Sequence, residues 1–194
     1  MTRIISGLAG GRRIYTPPGR LTRPTSDRVR EALFSRLEHL EVVNHANVLD
    51  LYAGSGALGL EAASRGAASV LLVESDRAAA AVVRKNIAEL GLPRVSVRAD
   101  TVERALLSGP SSGEVPCDLV LADPPYDLTE DALADVLNLL VTHGWLSDDA
   151  LVVVERSARS PAPRWPEGID AAGERRYGET KMWFADFAGP RGVA

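Results

Sequence analysis

The sequence predicts an α/β fold: a doubly wound, mostly parallel sheet with helices on both faces. Three observations carry that prediction. From residue 47 onward short β-rich runs alternate with helical stretches, glycines close the first run, and the fourth run is apolar enough to lie centrally in a sheet.

The elements follow in order. Asn47 to Leu51 reads as a short strand, and Ala57 to Arg65 as a helix closed by Gly66. Ser69 to Glu74, with Val-Leu-Leu-Val inside, is a second buried strand. Asp76 to Leu90 is alanine-rich, is capped by Ser75 or Asp76, and stops at Gly91 with Pro93 beyond. Val95 to Arg98 makes a third strand, followed by a helix through about Leu107. Ser108 to Pro116 is rich in Gly, Ser and Pro and reads as a loop. After the fourth strand, Cys117 to Ala122, come a helix over Thr129 to Val141 and a fifth strand over Ala150 to Glu155. Arg175 to Tyr177 and Lys181 to Phe187 close the chain as an antiparallel pair turning at Gly178.

Upstream, Arg3 to Ser6 and Gly11 to Tyr15 suit a hairpin around residues 7–10. Val29, Leu33, Leu37 and Leu40 recur at helical spacing, behind a cap at Ser26 or Asp27. Pro24 holds Arg23-Pro24-Thr25 extended. Residues 1–40 are thus read as a basic extension without a core of its own, and 41–194 as the main domain.

At 194 residues and 45% hydrophobic content, the chain can bury a core as one domain with a modest appendage. No stretch approaches the roughly 20 apolar residues of a membrane span, and the N-terminus lacks the longer apolar run of a signal peptide. One cysteine, Cys117, excludes an internal disulfide and a cysteine-cluster metal site. His39, His45 and His143 show no ligand spacing, so no metal is assigned. Trp145, Trp165 and Trp183 read as packing residues. The expectation is a soluble, cytoplasmic, monomeric protein.

Net charge is −4, unevenly spread. Residues 1–36 carry eight arginines against two acids, a net of +6, while the remaining 14 basic and 24 acidic residues leave −10. A basic end on an acidic body suits local contact with phosphates.

Asp50-Leu51-Tyr52-Ala53-Gly54-Ser55-Gly56-Ala57-Leu58-Gly59 joins the first strand to the first helix of the sheet. Gly54 and Gly56 let a ligand approach bare backbone at a helix N-terminus. The spacing also fits a dinucleotide fingerprint, with Glu74 twenty residues after Gly54. Asp50 tilts the choice, because a carboxylate there opposes a pyrophosphate but suits the cationic amino group of S-adenosylmethionine. Glu74, ending the second strand, can accept from ribose hydroxyls, and Asp100, after the third, can meet the adenine amine. Tyr52 completes the expected cofactor contacts.

Asp123-Pro124-Pro125-Tyr126 directly follows the fourth strand. An exocyclic amine on a base is a poor nucleophile because its lone pair is delocalised into the ring. A carboxylate at Asp123 and the carbonyl of Pro124 can accept both N–H groups and localise that pair. Pro125 fixes the turn without offering a competing donor, and Tyr126 gives a face for the base to stack on.

With these motifs the chain resembles the small bacterial 16S ribosomal RNA guanine-N2 methyltransferases, the small-subunit methyltransferase D family. The likeness rests on Arg3-Ile4-Ile5-Ser6-Gly7, Gly11-Arg12, and Arg23-Pro24-Thr25 through Arg28-Val29-Arg30-Glu31-Ala32-Leu33-Phe34, with the Asp50 loop, the tetrad, and Tyr177-Gly178 with Thr180. It covers nearly the whole chain. It implies a Rossmann-like class I methyltransferase fold of seven strands, the seventh reversed. It also implies methylation of one guanine at N2 in 16S rRNA, within the 30S subunit or a late precursor, with Arg12, Arg13, Arg23, Arg28 and Arg30 meeting phosphates or nearby bases and Thr25 ordering the extended segment. The tetrad alone also serves adenine N6, cytosine N4 and glutamine amides, so the substrate rests on the N-terminal signature. The rivals are a DNA adenine-N6 methyltransferase, a nicotinamide-dependent oxidoreductase, and a non-catalytic RNA-binding assembly factor.

Overall fold

A computed structural model describes residues 2–17, 26–111 and 115–189; Arg23 and Thr25 therefore lie outside the described residues. The N-terminal elements are β1 (Thr2–Arg3), β2 (Arg13–Ile14) and α1 (Asp27–His39). The main domain runs β3 (Asn47–Leu51), α2 (Ala57–Ser64), β4 (Ser69–Val73), α3 (Arg77–Leu90), β5 (Val95–Arg98), α4 (Val102–Leu107) and β6 (Cys117–Ala122). It ends with α5 (Glu130–Thr142), β7 (Leu146–Ser157), β8 (Ile169–Tyr177) and β9 (Thr180–Phe187).

Seven strands form one sheet in the order β5-β4-β3-β6-β7-β9-β8. The first five are parallel, and β9 runs antiparallel to both β7 and β8. Period-2 alternation feeds two cores. Val48, Leu119, Leu121, Leu151 and Val153 face a layer built from α1, α2, α3 and the hairpin. Leu49, Leu51, Val120, Val152 and Val154 face a layer built from α4 and α5. This is the doubly wound Rossmann-like architecture, with the reversed strand in place. Strand order changes direction between β3 and β6, and open α/β sheets bind ligands at that switch point, beyond the carboxyl ends of the strands. Both motifs sit there.

The hairpin is shorter than its sequence pattern predicts, for a reason visible in the hydrogen bonds. Ile4 N–H donates to Arg12 O at 2.9 Å and Gly11 N–H to Ile4 O at 2.8 Å. Beyond that the ladder stops, because the N–H groups of Ile5 and Ser6 donate instead to the carboxylate of Glu61, at 2.8 and 3.1 Å. Glu61 is fully buried in α2 and also takes Arg65 Nε at 2.7 Å. Ile4, Ile14, Leu33, Phe34 and Leu37 join the same core as β3 and β6. Helix α1 is capped by Ser26, whose hydroxyl accepts from Val29 N–H.

Strands β7 and β8 extend beyond their sequence-predicted bounds. β7 starts at Leu146, across a register irregularity opposite Cys117 and Leu119. β8 begins at Ile169, and residues 170–176 are exposed throughout, so no alternation of apolar and polar residues marks them. Among the described residues no helix is long and apolar enough to cross a membrane.

Candidate active site

Asp50 lies in β3, almost fully buried. Its Oδ2 accepts the N–H of Gly59 at 2.8 Å. Helix α2 has Gly56 as its N-cap, at φ +81°, which offers no side chain to satisfy the first-turn amides; Asp50 supplies the missing acceptor from the neighbouring strand. The approach requires glycine, because a Cβ at Gly59 would fall 2.9 Å from Asp50 Oδ2 and from Leu72. Burial pushes the Asp50 carboxyl up to about 7; the Gly59 bond works against this and the charge of Glu74 adds to it.

Glu74 follows β4 and is also buried. Its Oε2 accepts from Gly54 N–H at 2.7 Å and its Oε1 from Asp76 N–H at 2.8 Å. One side chain thus ties the glycine loop to the start of α3. A carboxylate can accept several hydrogen bonds at once, which suits the paired hydroxyls of a ribose. Asp100 follows β5, where Oδ1 accepts from Thr101 N–H at 2.9 Å and lies 3.4 Å from Arg104 Nε.

Tyr52 adopts a left-handed backbone, φ +62°, immediately after β3. Its hydroxyl is buried without a hydrogen-bond partner among the described atoms. Burial, then the charge of Glu103, raise its pKa well above the ordinary tyrosine value. An orphaned hydroxyl, a glycine loop and three acidic residues at successive strand ends fit a cofactor that carries a cationic amino acid and an adenosine. They do not fit a pyrophosphate, which would need the α2 terminus that Asp50 already occupies.

On the other side of the switch point, Asp123 N–H donates to Leu51 O at 3.4 Å, so β3 aligns the tetrad with the glycine loop. Pro124 is buried, while Tyr126 is 71% exposed and presents its ring to solvent. Pro125 O accepts from Leu128 N–H at 3.0 Å, closing the turn. Asp123, Pro124 and Tyr126 line one pocket with Glu155, Arg156 and Ser157 from the end of β7. Ser160 and Thr180 complete it. Arg156 donates to Leu128 O at 3.0 Å and to Glu130 Oε1, bracing the segment after the tetrad. The sequence reading passed over the β7 contribution. Its signal was positional: Glu155 lies near the carboxyl end of β7, the parallel strand next to the one that carries the tetrad.

The arginines divide. Arg13 and Arg28 are exposed. Arg12 donates to Leu90 O at 2.9 Å and to Glu89 O, docking the hairpin on the end of α3. Arg30 departs from the sequence expectation: it is 1% exposed and bonds Arg3 O at 2.5 Å and Asp27 Oδ1 at 3.1 Å. It is spent inside the fold, on Arg3, Asp27 and Glu61.

Fold, switch point and tetrad together define a class I, S-adenosylmethionine-dependent methyltransferase. The profile of the family described as Conserved hypothetical protein 95 matches residues 2–186. The ribosomal RNA small subunit methyltransferase D of Escherichia coli strain K12 is 39% identical over 177 residues, spanning 91% of this chain and 85% of that protein. A solved Escherichia coli structure described as a methyltransferase, yhhF, superposes with a TM-score of 0.81 at 37% identity, covering 97% of this chain and 98% of that one. SMU.776, described as a methyltransferase complexed with SAH, shares the fold at a TM-score of 0.60 and 13% identity, over 74% of this chain and 46% of that one. The chain belongs to the small-subunit ribosomal RNA methyltransferase D family.

Proposed function

We propose that this enzyme methylates the exocyclic N2 of one guanine in 16S rRNA, acting in the cytoplasm as a monomer on the 30S subunit or a late precursor. The observation that carries the reading is the Asp123-Pro124-Pro125-Tyr126 turn, set across the switch point from the Asp50–Gly59 loop and opening on a pocket. Asp50, Tyr52, Gly54, Gly56, Glu74 and Asp100 hold the cofactor, which supplies an electrophilic sulfonium methyl. Asp50 contributes chiefly by fixing the loop and placing negative charge beneath the cationic end of the cofactor.

Asp123 and the Pro124 carbonyl accept the two amine protons, which localises the lone pair and aims it. Pro125 keeps the turn rigid, and Tyr126 stacks on the base. The remaining catalysis is proximity, with negative charge supporting the amine as it becomes cationic and passes one proton to the Asp123 carboxylate, which returns it to solvent. Residues 1–40 serve as the RNA-contacting extension of the 41–194 catalytic domain, with Arg13 and Arg28 as the available phosphate contacts.

The test is incubation with labelled S-adenosylmethionine and, separately, undermethylated 30S subunits, naked 16S RNA and duplex DNA. Label recovered as N2-methylguanosine from the RNA supports the proposal. Label in DNA adenine, or none at all, defeats it.

A further inference from the structure

We infer that Glu155 sets the choice of base, accepting the N1–H that guanine alone among the amino-bearing bases presents beside its reacting amine. The inference rests on the amine-gripping role given to Asp123 and Pro124 above. Its structural basis is register. Ala122 pairs with Val154, the last pair of the parallel β6–β7 ladder, so the next residues, Asp123 and Glu155, stand side by side just past the end of β6, while β7 runs on to Ser157. Strands in a sheet lie about 4.8 Å apart. That brings the two carboxyl groups to one wall of the same pocket.

The edges of the candidate bases differ in what they offer there. Guanine presents a run of donors, the N2 amine and then N1–H, followed by the O6 acceptor. Adenine and cytosine follow their amines with a ring nitrogen that only accepts. Two adjacent carboxylates therefore match guanine and oppose a ring acceptor. Beyond Glu155 the pocket turns to hydroxyls at Ser157, Ser160 and Thr180, which can donate to O6. Ser157 and Thr180 are direct partners across the β7–β9 ladder, so those two hydroxyl-bearing residues share one position. The lining thus reads acceptor, acceptor, donor, the complement of the guanine edge.

Burial makes the match selective. Glu155 is 8% exposed, and a site built around a buried hydrogen bond rejects an analogue that leaves it unmade far more strongly than an apolar pocket rejects a misfit. 2-Aminopurine probes this edge as a whole, because it keeps the 2-amino group but carries an acceptor at N1 and no O6; Glu155→Gln then separates the N1 contact from the O6 one.

The experiment uses small subunits whose 16S RNA carries guanine or 2-aminopurine at the nucleotide the wild-type enzyme labels. Wild type is expected to prefer guanine by about 100-fold or more. Glu155→Gln, which can donate to a ring nitrogen, is expected to lose about 10- to 100-fold on guanine and to narrow the preference to within about tenfold. Cofactor affinity of the variant, measured by calorimetry, should equal that of wild type. Equal rates on both bases with the unmodified enzyme would overturn the inference, even if the variant does not fold. So would an unchanged ratio in a folded Glu155→Gln. Failure of wild type to label any guanine would instead defeat the function proposed above.

Discussion

The side chain of Asn86 donates to the carbonyl of Ser55 at 3.1 Å, so the middle of α3 grips the cofactor loop from behind. The same amide donates to Tyr15 O at 3.0 Å, and its oxygen accepts Tyr15 N–H at 2.8 Å. Asn86 is 1% exposed. One buried residue thus makes both backbone bonds of Tyr15 and one of the loop. Asn86→Ala leaves those groups unmatched, at a cost of about 2–4 kcal/mol, toward the upper end for a lost buried network. Denaturant unfolding should show that loss, and calorimetry should show weakened cofactor binding. Full stability together with wild-type affinity would mean that the loop holds itself.

The Asp50 carboxyl, raised to about 7 from an ordinary 3.8, gives two pH dependences of opposite sign. The folded chain keeps a proton that the unfolded chain releases, so this group's contribution to stability is complete below pH 3.8 and is lost as pH rises through 7. Cofactor binding runs the other way, because a cationic amino group favours the ionised form. Affinity should rise by up to about tenfold per pH unit between pH 6 and 7 and then level off. Asp50→Asn should flatten both curves. Calorimetric titration at half-unit steps, paired with thermal unfolding in the same buffers, separates them.

Asp123→Ala should keep cofactor affinity within about twofold while removing essentially all methyl transfer, on the order of 10³-fold or more, because it strips an interaction needed only at the amine. Asp123→Asn is the sharper variant. Its amide keeps the size of the side chain and one acceptor but loses the charge that supports the cationic amine. Single-turnover rates should fall while the dissociation constant for the cofactor stays put. Retained single-turnover rates in Asp123→Asn would show that a neutral acceptor at this position suffices and that the carboxylate charge is dispensable.

Much of this was legible in the sequence because the signals were local. The Asp50–Gly59 loop and the tetrad each combine a strand end with residues whose chemistry suits few other purposes, and the structure puts both at the switch point. The reversed pair was readable at Arg175–Tyr177 and Lys181–Phe187, but not along 170–174, where β8 has both faces in solvent. What escaped depends on partners far away in the chain. Nothing near Glu61 announces that it will take the amides of Ile5 and Ser6, 56 and 55 residues upstream. Arg30 sits in a basic run that looks solvent-facing, yet the turn of α1 carries it inward against Asp27 and Glu61. Charge composition reports how many arginines a segment holds, not which of them the fold consumes.

That division of the arginines can be measured. Arg30 Nε lies 3.9 Å from Glu61 Oε2, and neither side chain has more than 1% exposure. Removing the cation leaves Glu61 buried with one positive neighbour fewer, so Arg30→Ala should destabilise the fold by about 3–5 kcal/mol. Activity lost in this variant should return in part on cooling or with added cofactor, as expected of a stability defect. Arg13 and Arg28 are exposed and should behave in the opposite way. Their alanine variants should unfold within about 0.5 kcal/mol of wild type. If each meets one phosphate, RNA affinity should drop while the slope of log K against log salt shrinks by about 1. Filter binding across a salt series, run beside thermal unfolding, distinguishes the two classes. A stable Arg30→Ala with a reduced salt slope would return that residue to the RNA surface, and it would mean that α1 turns outward when RNA binds.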